Sequence, residues 1–220
     1  MADLTFLKPH YIASATPDSP SITTIIKHLS LLPHIEGGYY LETDRAPETI
    51  PSPFPFHPTS TSTEGHAPQR PGFDPALRNT STTIYYFLTP SGPQGGFHRN
   101  KARTVHTLHR GRGRYVIIHA DEPGKEGEKR IETFVVGHNV EKGERLQWIV
   151  EGGKFKASFL LPDTEGGENS EGLLISETVV PGFEFCDHDF LSAQGLKGLL
   201  GAEKAKDLDW LLSPLGRGEN

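Results

Sequence analysis

The side chains of this chain that could do chemistry gather around one stretch. Gly96-Phe97-His98-Arg99-Asn100-Lys101-Ala102-Arg103-Thr104-Val105-His106, running on to Gly111, carries the spacing of a metal motif. That motif reads His, one residue, His, three residues, Glu, then six residues and a Gly. His98 is in place, while Asn100 and Thr104 stand where the second His and the Glu belong. A second half-motif, Pro, one residue, Gly, two residues, His, aligns with Glu151-Gly152-Gly153-Lys154-Phe155-Lys156, which puts Lys156 at the last ligand position. Transition-metal ions want several His, Cys or carboxylate ligands converging at short range. The expectation is therefore a pocket without the usual metal and without a cofactor. His98 and His106, with Glu36 as a third ligand, would make only an improvised site.

The same residues suit metal-free acid–base work. An imidazole such as His98, with a reference pKa of about 6.5, serves as a general base when a carboxylate orients its other ring nitrogen. Glu36, Glu184 and Asp187 are all candidates for that carboxylate. Lys156 or Arg99 would stabilise an enolate, because a fixed cation in a dry pocket lowers developing negative charge better than water does. Tyr86 or Tyr85 would return the proton from the opposite face. Plainer readings stand beside these. One of the two adjacent tyrosines packs in a core or interface. Gly37-Gly38 serves a tight turn capped by Glu36, and Pro181-Gly182 folds Phe183 and Phe185 back onto the body.

These residues need elements to hold them. Ile22, Ile25, Ile26, Leu29 and Leu32 follow helical spacing from Ser21 to Leu32, with Ser19 or Ser21 as cap and Pro33 as stop. A short alternating aromatic strand follows Gly37-Gly38. Pro47 to Pro75 is dominated by Pro, Ser, Thr, Gly and His, including His57 and His66, and reads as a long mobile loop. Short strands come next at Thr82 to Leu88, Arg103 to Leu108, Arg114 to His119, Ile131 to Val136, Glu144 to Val150, Lys156 to Leu161 and Gly172 to Val180. Gly-rich turns separate them, as in an antiparallel barrel or sandwich. Ser192 to Leu212 reads as a helical extension weakened by Gly195, Gly198 and Gly201. The organisation expected is an N-terminal helix and first strand (1–46), the loop (47–76), a β barrel (77–191) and a helical tail (192–220).

Composition narrows the function classes. With 220 residues the chain suits one domain with extensions. A net charge of −6 leaves no electrostatic footprint for nucleic acid. The basic run Arg110-Gly111-Arg112-Gly113-Arg114 reads as a solvated hairpin. One cysteine, Cys186, excludes an internal disulfide framework and fits a reducing compartment. His188 lies two residues from it, which raises the reading of an activated thiol against that of a small core residue. No apolar run reaches the roughly 18 residues of a membrane span. The expected location is cytoplasmic or nuclear, in soluble form.

Five blocks, in order, resemble one family. Glu36-Gly37-Gly38-Tyr39-Tyr40, Ser81-Thr82-Thr83-Ile84-Tyr85-Tyr86-Phe87-Leu88, Phe97-His98-Arg99, Gly153-Lys154-Phe155-Lys156-Ala157 and Val180-Pro181-Gly182-Phe183-Glu184-Phe185 are similar to the cupin-5 family, the domain of unknown function 985, over about residues 20 to 192. The resemblance implies an all-β fold: a cupin double-stranded β-helix, or jelly-roll barrel, with a few flanking helices, paired into a homodimer, with a small-molecule pocket in the barrel mouth. It also implies kinship to sugar-nucleotide epimerases. In a cupin the motif positions point inward, which places His98, Asn100, Thr104, His106 and Lys156 on the inner face. The resulting expectation is catalysis by His98, Lys156 and Tyr86, with Glu36, Arg99, Asn100, Thr104, His106 and Phe183 binding substrate. The reaction expected is a metal-independent isomerisation or epimerisation of an anionic sugar-like or keto-acid compound. A non-catalytic metabolite-binding cupin is the alternative, and a metal-dependent oxygenase or decarboxylase is the second.

Overall fold

Ser19 starts the first helix as a cap should. Its side chain accepts from the Ile22 amide at 3.2 Å, and Pro20 occupies the first helical position. The computed structural model describes residues 4–54 and 69–218. Helix α1 spans Pro20–His28 and ends before the expected Leu32, because Ser30 takes a positive φ of 53° and turns the chain away. Leu32–Pro33 becomes strand β1 instead.

The remaining strands are β2 (Tyr39–Arg45), β3 (Thr49–Pro51), β4 (Leu77–Asn79), β5 (Thr82–Leu88), β6 (Gln94–Asn100), β7 (Arg103–Arg110), β8 (Gly113–Ile118), β9 (Ile131–Val136), β10 (Gln147–Val150), β11 (Phe155–Leu160), β12 (Leu173–Val180) and β13 (His188–Phe190). One sheet has the order β1-β2-β5-β12-β7-β10 and the other β13-β6-β11-β8-β9, with β3-β4 as a separate pair. The described strand pairings between these elements are antiparallel. Two such sheets facing each other form the jelly roll.

Between the sheets lie Tyr86, Leu108, Tyr115, Ile117, Phe134, Trp148, Leu160 and Ile175. Strand β11 is buried along its whole length because its second face is covered as well. Phe155, Ala157 and Phe159 pack outward against Leu196 and Leu200 of α2 (Ala193–Leu200) and Leu208 of α3 (Ala202–Leu208). Gly201, at φ 79°, separates these two helices, so the expected helical tail is present but broken at a glycine. A short α4 (Pro214–Arg217) follows. On the other flank Ile22 of α1 packs with Leu31, Phe87 and Leu174.

The segment read as one long loop differs at its ends. Thr49–Pro51 pairs with Leu77–Asn79, and the Arg70 guanidinium bonds Glu184 at 2.8 Å, so backbone pairing and an ion pair anchor both flanks. His57 and His66 lie outside the described residues. No helix among the described residues is long and apolar enough to cross a membrane.

Candidate functional site

Glu36 is delivered into the space between the sheets by a tight turn. The His34 amide bonds the Gly38 carbonyl at 3.0 Å, and the Gly37 amide bonds the His34 carbonyl at 3.1 Å. Gly37 takes φ 111°, and a Cβ there would lie 2.1 Å from the Gln94 carbonyl oxygen, so only glycine fits. The Gly96 amide donates to the Glu36 carbonyl at 2.8 Å and ties the turn to β6. Glu36 is buried beneath it, with its side chain inward rather than capping the turn.

Three imidazoles surround that carboxylate. His188 Nε2 lies 2.9 Å from Oε1, while His98 Nε2 and His34 Nδ1 lie 3.4 and 3.6 Å from Oε2. His98 comes from β6 and His188 from β13, and their rings stack at 5.1 Å. The other nitrogen of His98, Nδ1, is 2.9 Å from the Gly96 carbonyl, which only accepts, so Nδ1 carries the proton. Burial pushes the His98 imidazole down to about 3, against the opposing pull of Glu36. Burial alone would raise the Glu36 carboxyl; His98, His34 and the His188 hydrogen bond overcome it and hold the group well below the usual carboxylate range.

A second buried centre lies alongside. Lys156 of β11 donates to Glu177 of β12 at 2.5 Å and to His106 of β7 at 2.9 Å. His106 Nε2 is 3.3 Å from Glu177, and its ring stacks on Trp148 at 5.1 Å. Burial works against ionisation of Glu177, but Lys156 and His106 outweigh it and keep its carboxyl well below the usual range. Burial, reinforced by the Lys156 charge, lowers His106.

Both carboxylates face one cavity of about 220 Å³. Its walls include Ile84, Val179, Phe183 and Phe185, and its polar lining includes His34, Asn100, Arg45, Arg70, Glu42 and Glu184. At the mouth Glu184 Oε1 accepts from Arg45 at 2.9 Å and from Arg70 at 2.8 Å, and Arg45 also grips Glu42 through two bonds. Asn100 Nδ2 points to Thr104 at 3.4 Å, which leaves Asn100 Oδ1 buried without a partner among the described residues.

Strand alternation puts His98, Asn100, Thr104, His106 and Lys156 on the inner side, as expected. Three placements differ from expectation. Arg99 projects to the opposite face of β6, where it pairs with Asp189 at 3.0 Å and covers the Phe155 ring, because neighbouring strand residues face opposite ways. Glu36 and Glu177 line the cavity, whereas His98 and Lys156 are not among its lining residues. The Tyr86 hydroxyl donates to the Gly37 carbonyl at 2.9 Å, and burial raises its pKa well above the ordinary value. Among the carboxylates weighed for His98, Glu36 is the neighbour; Asp187 is held by Arg78 at 2.7 Å and Glu184 by the two arginines. His188 bonds Glu36 rather than activating Cys186, whose thiol burial and Asp187 push up to about 11.

Sequence reasoning overlooked Glu177, His188 and His34 as site residues. A lone acid in the apolar strand Leu173–Val180, in phase with the inward Ile175 and Val179, was the available signal for Glu177. His188 carried none, since its pairing with Asn100 spans most of the barrel sequence.

The fold and this inward-facing polar site define a cupin. The chain belongs to the cupin-5 family, described as Cupin superfamily (DUF985), whose model matches residues 23–191. It is 43% identical over 203 residues, 91% of each chain, to an uncharacterized protein of Saccharomyces cerevisiae. A solved hypothetical protein from Leishmania major is 28% identical with a TM-score of 0.66, covering 86% of this chain and 97% of that one. A protein of Shewanella oneidensis, 23% identical with a TM-score of 0.61 over 90% of this chain and 98% of its own, shares the fold.

Proposed function

We propose that this cupin is a proton-transferring isomerase or epimerase acting on a small, neutral hydroxycarbonyl compound bound in the cavity between Glu36 and Glu177. The observation that carries the reading is the buried Lys156–Glu177–His106 centre, which presents an ionised carboxylate to a cavity whose walls include Ile84, Val179, Phe183 and Phe185. Glu177 takes the proton from the carbon beside the carbonyl and returns it to that carbon or to its neighbour; the Lys156 pairing keeps it ionised and oriented at the cost of basicity. His34 supports the developing oxyanion. Its Nδ1 accepts from the Glu36 amide at 3.3 Å, so Nε2 carries a proton for donation.

The substrate class follows from the lining. Glu36, Glu42, Glu177 and Glu184 outnumber Arg45 and Arg70, and both guanidiniums are already paired. With Lys156 set against Glu177 and the two arginines against Glu42 and Glu184, Glu36 is the lining carboxylate with no lysine or arginine partner among the described residues. An anionic compound would meet that net negative charge, so a neutral substrate is favoured over the anionic one expected from sequence. The volume is below the roughly 300–1,000 Å³ of drug-sized pockets, which suits a small metabolite.

Short hydroxyketones and aldoses incubated with the protein in D2O test this. Deuterium should enter the carbon next to the carbonyl, and Glu177→Gln, destabilised by its unpaired Lys156 and therefore assayed at a temperature where circular dichroism shows it folded, should abolish incorporation. Binding of such a compound with no exchange at any pH would make the protein a metabolite-binding cupin instead.

A further inference from the structure

We infer that Glu36, His98 and His188 form a binding site for one divalent transition-metal ion at the floor of the cavity, displaced from the metal motif that the sequence has lost. Only His98 is common to the two sets. The remaining motif positions are filled by Asn100, Thr104 and Lys156, and the Lys156 ammonium already neutralises Glu177. Glu36 and His188 come from outside both half-motifs.

Ligand spacing is the first argument. One donor atom from each of the three buried residues lies within 4.8 Å of the others. His188 Nε2 lies 2.9 Å from Glu36 Oε1, to which it donates, and His98 Nε2 lies 3.4 Å from Oε2; an arriving ion displaces the His188 Nε2 proton and takes that lone pair. An ion bound at about 2.1 Å to each ligand requires ligand–ligand edges of roughly 3.0–3.4 Å, so each imidazole already stands at about that range from one carboxylate oxygen and the widest separation, within 4.8 Å, closes toward it on binding.

Proton placement is the second. With Nδ1–H committed to the Gly96 carbonyl, His98 turns the lone pair of Nε2 toward a carboxylate oxygen. A carboxylate oxygen and an imidazole nitrogen 3.4 Å apart in a buried space are placed to share one cation. No lysine or arginine among the described residues pairs with Glu36. The backbone carbonyl behind His98 is also the usual outer partner of a metal-binding histidine, fixing tautomer and ring direction.

The third is an orphan acceptor. Asn100 Oδ1 is buried without a hydrogen-bond partner among the described residues, on a residue that lines the same cavity and stands opposite His188 in the β6–β13 register. It offers a further oxygen ligand and leaves the cavity side open for a water or a substrate oxygen. Two imidazoles and one carboxylate suit zinc, cobalt, iron or nickel rather than calcium or magnesium. The scaffold is rigid: β13 follows directly on Asp187, which Arg78 grips through Nε and a second nitrogen at 2.7 and 3.1 Å.

The inference does not rest on the isomerase reading, and its test needs no turnover. Full-length protein stripped with chelator and dialysed is titrated with Co2+ and, separately, with Zn2+ by calorimetry. One equivalent of Co2+ should give visible absorption that one equivalent of Zn2+ removes. Glu36→Gln and His98→Gln, each checked for fold by circular dichroism, should weaken Zn2+ by more than the roughly 10–100-fold that loss of an outer-shell partner costs. The exposed His109→Ala and His138→Ala should bind as the parent does. Absence of a stoichiometric Co2+ spectrum in the folded parent overturns the site. So does Zn2+ binding that survives both inner variants undiminished.

Discussion

Lys156 Nζ lies 2.5 Å from Glu177 Oε2 across the space between the two sheets, with both side chains buried. A lysine thus occupies a position where the lost motif would place a metal ligand, and it carries its own counter-charge on the facing strand. Removing one partner of such a pair leaves a buried charge uncompensated and costs about 3–5 kcal/mol. Lys156→Met should destabilise the protein by that order in urea unfolding. Lys156→Met combined with Glu177→Leu should recover much of the loss; a double variant as unstable as the single one would show that the pair is not what the substitution breaks.

The same pair predicts an acid-sensitive fold. The Glu177 carboxyl is lower in the folded state than in the unfolded chain, so the folded state binds fewer protons. Its contribution is complete above the unfolded carboxyl pKa of about 4.3 and is lost as pH falls below it toward the folded value. Unfolding free energy should therefore fall between about pH 5 and pH 3, and Glu177→Gln should flatten that slope. An unchanged slope in the variant would assign the acid sensitivity to other carboxylates.

How much of this arrangement was legible in the sequence depends on how local its cause is. Thr82–Leu88 and Ile131–Val136 were read at their observed bounds because alternation and flanking turns sit within each segment. Strand β6 was not delimited, since Gln94-Gly95-Gly96 offers no apolar alternation. Its glycines answer to distant neighbours: a Cβ on Gly95 would lie 2.4 Å from the Tyr86 hydroxyl, and one on Gly96 2.6 Å from Ser213. The inward set on β6, β7 and β11 came from the cupin resemblance together with strand alternation. The partners Glu177 and His188 did not, because their positions depend on long-range pairing that no short window records.

The turn below Glu36 should tolerate no side chain at Gly37. Its φ of 111° and the 2.1 Å approach of the Gln94 carbonyl oppose any Cβ. Strain of this kind costs of order 1–3 kcal/mol before the backbone contact is counted. Gly37→Ala should lower the melting temperature and uncouple Glu36 from His98. Solvent-exposed Gly143→Ala, also at positive φ but with open space around it, should cost less; equal losses would leave the close approach without energetic weight.

Cys186 should be a sluggish nucleophile. Burial and the adjacent Asp187 carboxylate push its thiol up to about 11, and His188 is engaged with Glu36. Alkylation by iodoacetamide at neutral pH should run about 10–100-fold slower in the folded protein than in urea, allowing for the greater intrinsic nucleophilicity of a high-pKa thiolate. A folded rate matching or exceeding the unfolded one would reinstate the reactive thiol.

Charge at the cavity mouth sets what enters. Glu184 is buried and accepts from both Arg45 and Arg70, while Arg45 keeps a second carboxylate in Glu42. Glu184→Gln removes one negative charge and leaves Arg70 without its carboxylate partner, so the lining moves from an excess of acids toward balance. The parent should show little stabilisation by inorganic phosphate in thermal unfolding, whereas the variant should gain it, and the gain should shrink with added salt because screening weakens contacts at a partly open mouth. Phosphate stabilising the parent as strongly as the variant would mean that the paired guanidiniums already receive anions, and the substrate class would return to the acids that the sequence suggested.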